Sequence, residues 1–135
     1  MNDIKNMKIA ISALPENGWW NEGIVAYHDN DMMSNGALPN QSLLQQEHKG
    51  LIEILNKYSL PIEIIPFKKD LEVNKKYDFV FMRDHFLCNV DKDIVMCNMK
   101  LSERMNEGEF VISSLKNLQY NVSFLDNDCI AEGGE

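Results

Sequence analysis

Residues 77–90 read Tyr77-Asp78-Phe79-Val80-Phe81-Met82-Arg83-Asp84-His85-Phe86-Leu87-Cys88-Asn89-Val90, two apolar runs separated by a charged triplet. Residues 78–82 have the pattern of a buried strand that runs straight into Arg83, Asp84 and His85. Residues 86–90 read as a second strand, Asp91-Lys92-Asp93 as a turn, and residues 94–99 as a third strand. In layered α/β folds, charged residues just past strand ends often line a ligand crevice. Arg83 and Asp84 are therefore binding candidates. The alternative is a polar strand terminus whose charges are solvated or paired.

Downstream, a helix is expected near Asn106, with Glu109 three residues on as its capping partner. Val111, Leu115 and Leu118 form its apolar stripe. Residues 120–125 read as a strand, and residues 129–131 as a short one leading into Glu132-Gly133-Gly134-Glu135. Paired glycines allow close backbone approach or positive φ, so the flanking carboxylates can face a cation. A glycine turn is the plainer alternative.

Upstream, residues 7–13 read as a short buried strand ended by the turn signals of residues 14–18. Residues 19–39 read mostly as loop, with a possible strand at 23–28. Ser42 and Gln45 make a capping-box pair for a helix over 42–58. Its stripe is Leu44, His48, Leu51, Leu55 and Tyr58, with Ile52 beside it. Residues 61–67 read as a strand whose end, at Pro66, lies at a sheet edge or outside the ladder. Strands alternating with helices indicate α/β layers. A unit of paired strands, helix and strand recurs, around 7–67 and around 78–125.

With 135 residues, 44% hydrophobic and 25% charged, the chain fits one soluble domain or part of one. Thirteen basic against 21 acidic residues give a net charge of −8, which argues against nucleic-acid binding. No stretch has the length of a membrane span or a signal h-region. Cys88, Cys97 and Cys129 suit buried reduced thiols of a cytoplasmic protein. His48 reads as a hydrogen-bonded core histidine. His85 adjoins Asp84, but neighbours on a strand face opposite ways. The stretch His28-Asp29-Asn30-Asp31 lacks the glycine and later glutamate of a calcium loop, so it reads as solvated loop with no metal. No cofactor-binding motif is present.

Asp84 and Glu132 would put carboxylates at the ends of two strands. A guanidinium is planar and forked, and each carboxylate can take two of its N–H groups. Phe81-Met82-Arg83-Asp84 and Glu132-Gly133-Gly134-Glu135 resemble motifs of the guanidino-group-modifying enzymes: dimethylarginine dimethylaminohydrolase, arginine deiminase and the amidinotransferases. Met33-Ser34-Asn35 ahead of Gln45-Gln46-Glu47-His48 is similar to the hydrolase's substrate loop and first helix. Asn98-Met99 with Glu103-Arg104 is similar to the linker before its second helix.

The resemblance implies a pentein α/β propeller of five strand-helix modules, of which residues 1–135 would supply about two to two and a half as the N-terminal part of one domain. It implies a small arginine-like substrate and no cofactor. In the implied chemistry a cysteine thiolate attacks the guanidino carbon and an amine leaves. A histidine then activates the water that hydrolyses the amidino-cysteine intermediate. Asp84 matches the aspartate that grips the guanidinium, and Phe81 an aromatic flanking the substrate. Glu132 matches the catalytic carboxylate that touches substrate and steadies the histidine. The family's histidine and cysteine lie beyond the positions matched here. The chain is thus expected to need its missing half, or self-association, to cover exposed strand edges. A non-catalytic binding module of the same fold is the alternative.

Overall fold

Two parallel strand pairs, each closed by a helix, organise the computed structural model, which describes residues 8–16, 35, 40–89 and 91–131. Strand β1 (Ile9–Ser12) is followed by helix α1 (Gln41–Lys57), which returns the chain to β2 (Ile62–Ile65). β2 runs parallel to β1, with Ile9 opposite Ile62. A short helix α2 (Lys69–Val73) and two 3₁₀ turns, Tyr77–Val80 and Met82–Asp84, lead to the hairpin of β3 (Phe86–Cys88) and β4 (Asp93–Met96). Helix α3 (Glu107–Asn117) then brings in β5 (Asn121–Phe124) parallel to β4. A tight turn cannot join parallel neighbours, which is why a helix stands between each pair.

The sheets have orders β1-β2 and β3-β4-β5, and both are open. The chain has an α/β fold, and its sheets do not curl into the closed propeller that the resemblance implies for the family. The second unit is the expected hairpin, helix and strand. In the first, the possible strand at 23–28 lies outside the described residues, as do Trp19, Trp20 and the loop at His28.

The core joins both units: Ile65, Leu71, Phe79, Met82, Ile94, Met96, Val111 and Leu115 form one buried cluster. Phe79 sits at its middle, edge-on to Phe67, His85 and Phe110 at centroid distances of 5.8, 5.1 and 6.4 Å.

Several expectations are corrected. Residues 78–82 are not a strand. Phe81 N–H donates to the Asp78 carbonyl at 2.9 Å and Asp84 N–H to the Phe81 carbonyl at 3.0 Å, so the backbone is satisfied within its own turns. A short apolar run does not distinguish these conformations by itself. Helix α1 is capped by Asn40, whose side chain accepts from Leu43 N–H at 3.0 Å, and Ser42 lies inside the helix. Leu51 and Tyr58 of its stripe are exposed. Two strands about 4.8 Å apart are too narrow to cover a helix about 10 Å across. Asn106 precedes α3 at φ 69° without a side-chain cap bond. Residues 129–131 form no strand. Only Cys97 is a buried thiol, and Cys88 and Cys129 are exposed.

Because Asn40 satisfies an otherwise free amide, Asn40→Ala should cost about 1 kcal/mol of stability. Ser42→Ala should change it by less than about 0.5 kcal/mol. Urea denaturation midpoints of the two variants check the assignment.

Candidate functional site

Asp84 ends the second 3₁₀ turn and is 9% exposed. Its Oδ2 accepts from Arg104 Nη1 at 3.0 Å, and its Oδ1 lies 3.4 Å from Nε of the exposed Arg83. Arg104 stands in the 3₁₀ turn Ser102–Arg104 and is itself buried. Its other donors go to Glu107 Oε2 and the Asp78 carbonyl, each at 3.2 Å. One planar guanidinium thus joins both 3₁₀ turns to the start of α3. Lys76 holds the loop between them, donating to the carbonyls of Glu103 and Met105 at 2.7 and 2.6 Å.

Behind this fork, His85 and Glu107 are both fully buried, with Nε2 and Oε2 3.6 Å apart. Both ring nitrogens of His85, and Glu107 Oε1, have no hydrogen-bond partner among the described residues. Burial, helped by the nearby Arg104 charge, lowers the His85 pKa to about 4 against an opposing pull from Asp84. Burial raises Glu107 to about 7 although Arg104 favours its charged form. For Arg104, burial disfavours the charge, but Glu107, Asp84 and Asp78 together outweigh it and raise the pKa. At neutral pH, His85 is therefore an uncharged ring beside a carboxyl.

The sequence candidates separate. Phe81 is 51% exposed on the turn that also carries Asp84, and Arg83 is exposed beside it. Glu132 lies outside the described residues. His48 donates through Nε2–H to the Ser12 carbonyl at 2.8 Å, as its expected structural role requires, and is half-buried. Asp84 ends a 3₁₀ turn, His85 follows it directly, and both are buried, so the strand rule that puts neighbours on opposite faces does not apply. No local motif marks Arg104 or Glu107 as a site residue. Glu107 does lie one turn before Val111 and two before Leu115, a carboxylate on an apolar stripe.

No protein-family model and no curated protein matches the chain. Solved structures do match. The dimethylarginine dimethylaminohydrolase adduct with 4-chloro-2-hydroxymethylpyridine superposes on 94% of the chain, with a TM-score of 0.68 and 16% identity. The fold is similar to that part of the hydrolase structure. AgrE, as a cysteine-to-alanine variant with L-arginine and in unliganded form, matches 93% at TM-score 0.62 and 18% identity. The chain spans 43% of the hydrolase and 17% of AgrE.

Arg104→Met leaves two buried carboxylates without their cation and should cost roughly 3–5 kcal/mol, read from denaturation midpoints. The buried pair also makes a pH prediction. The depressed His85 pKa gives a contribution present above pH 6.5 and lost as pH falls toward about 4. The raised Glu107 pKa gives one present below 4.5 and lost as pH rises toward about 7. Between 4.5 and 6.5 the two slopes oppose each other. Glu107→Gln should therefore expose a stability that falls with acid, by up to about 1.4 kcal/mol per pH unit. His85→Gln should expose the reverse slope. Identical pH profiles for both variants would contradict the assignment.

Proposed function

We propose that this chain forms the carboxylate side of a guanidino-binding site in an enzyme that breaks the guanidino C–N bond of arginine or a methylated arginine. The observation that carries this reading is the state of Asp84: one oxygen is anchored on buried Arg104 and the other meets a solvated arginine side chain. A carboxylate held in this way has a fixed orientation, and a ligand guanidinium can take the place of Arg83. Phe81 on the same turn offers a ring to the ligand. Glu132 is the second carboxylate, and also the group that steadies the general-base histidine.

The likeness to the hydrolase fold supports a dimethylarginine dimethylaminohydrolase type of reaction through an amidino-cysteine intermediate. Deiminase and amidinotransferase chemistry differ in which amine leaves and what attacks that intermediate. On this reading residues 1–135 are the N-terminal part of one pentein domain, about two modules, acting in the cytoplasm. The nucleophile and base come from the remaining modules or from a partner. The Asp84–Arg104 pair also favours a second reading, a non-catalytic binding module in which Asp84 is purely structural.

Titration with L-arginine followed by NMR separates the two. Asp84→Asn should weaken binding roughly ten- to hundredfold. It should also cost roughly 1.5–3 kcal/mol of stability through Arg104. Unchanged affinity in a folded variant favours the second reading. The chain by itself should release neither ammonia nor alkylamine from arginine derivatives. Turnover abolished by replacing Cys129 would place the nucleophile within it.

A further inference from the structure

Helix α1 carries a second apolar stripe beside the face that packs on its sheet. Leu43, Leu51, Ile54 and Tyr58 lie within about a quarter turn of one another around the helix axis. Each is between 48 and 69% exposed. Single apolar side chains on a surface need no explanation, but four in line along one helix make a continuous patch. Glu47 falls within the same stripe and Gly50 at its edge. The space that a side chain at Gly50 would occupy holds no atom within 4 Å, so the patch has a hole near its middle.

The order of these residues is self-complementary. Two copies of α1 can pair antiparallel about a two-fold axis between Gly50 and Leu51. Leu43 then falls opposite Tyr58, and Leu51 opposite the hole at Gly50, as a knob requires. Glu47 falls opposite Ile54, with Lys57 one turn further on. Both charged side chains are exposed and have no ion-pair partner among the described residues, whereas Lys49 and Glu53 pair within the helix at 3.7 Å. Along one helix Glu47 and Lys57 are about 15 Å apart, too far to meet. Across the pairing they are neighbours.

Charge favours a second copy as the occupant. The chain has a net charge of −8, so most faces of two copies repel each other. Helix α1 is neutral instead, with Glu47 and Glu53 balanced by Lys49 and Lys57. We infer that the exposed stripe of α1 is a self-association surface, on which a second copy of the chain docks its own α1 antiparallel. This surface stands apart from the guanidino reading and does not depend on it.

Sedimentation equilibrium on the 135-residue chain tests the inference. The parent should enter a reversible monomer–dimer equilibrium at concentrations below about 1 mM. Leu51→Lys puts two like charges beside the two-fold axis, and it should stay monomeric over that range with the parent's far-ultraviolet circular dichroism. Glu47→Lys and Lys57→Glu should each weaken the dimer about tenfold, and the double variant, with the charges exchanged, should recover most of that loss. A parent that stays monomeric overturns the inference and leaves the stripe to a different occupant. A dimer that survives Leu51→Lys lies on another face and overturns it as well. A double variant that associates no more tightly than either single one shows that the two charges do not meet, and overturns the antiparallel pairing. The charge exchange decides the matter even if Leu51→Lys does not fold.

Discussion

The guanidinium of Arg104, buried between Asp84 and Glu107, is the contact on which the local architecture depends. Its three bonds reach the first 3₁₀ turn, the second 3₁₀ turn and the first residue of α3. Those segments carry Phe79 and Met82 into the core that both sheets share, and they orient Val111 and Leu115 on α3. Buried ion pairs are weak sources of net stability, because desolvation offsets much of the attraction. Their effect is on which arrangement is adopted. The polar fork fixes how the turns meet α3, and the apolar cluster around Phe79 supplies the stabilisation.

This arrangement bears directly on binding. The chain's own guanidinium already uses one oxygen of the carboxylate proposed to bind an arginine-like ligand. A second guanidinium therefore meets a carboxylate that is oriented but partly neutralised. Anchoring favours geometry, whereas the shared charge limits affinity, so the two effects oppose each other. At neutral pH His85 behind the fork is uncharged and Glu107 only partly ionised. They leave Asp84 as the carboxylate of the cluster that faces outward.

The periodic elements were legible from sequence. β1, α1, β2, the β3-β4 hairpin, α3 and β5 all lie within the ranges that their apolar spacing marked, apart from a residue at the start of α1 and of β4. Residues 78–82 were not, because an apolar run of that length suits a buried strand or a pair of tight turns equally. Asn40 is not distinguishable as the cap from sequence, because Ser42 offers a complete local motif two residues later. Asp84 was legible from its place after an apolar run. Its partner was not, since Arg104 lies 20 residues away in a segment without periodicity. Ion pairs of that separation follow from how elements pack, and no local spacing encodes them.

In the proposed site the outward oxygen of Asp84 accepts a guanidinium while Arg104 holds the other. The most direct test follows the Asp84 carboxyl carbon by NMR during titration with L-arginine, using L-citrulline as the uncharged counterpart of the same shape. A saturable shift of that carbon is expected with L-arginine and little or none with L-citrulline, with the Arg104 Nε–H signal kept throughout. An Asp84 carbon unmoved by L-arginine, or moved equally by both compounds, would contradict it.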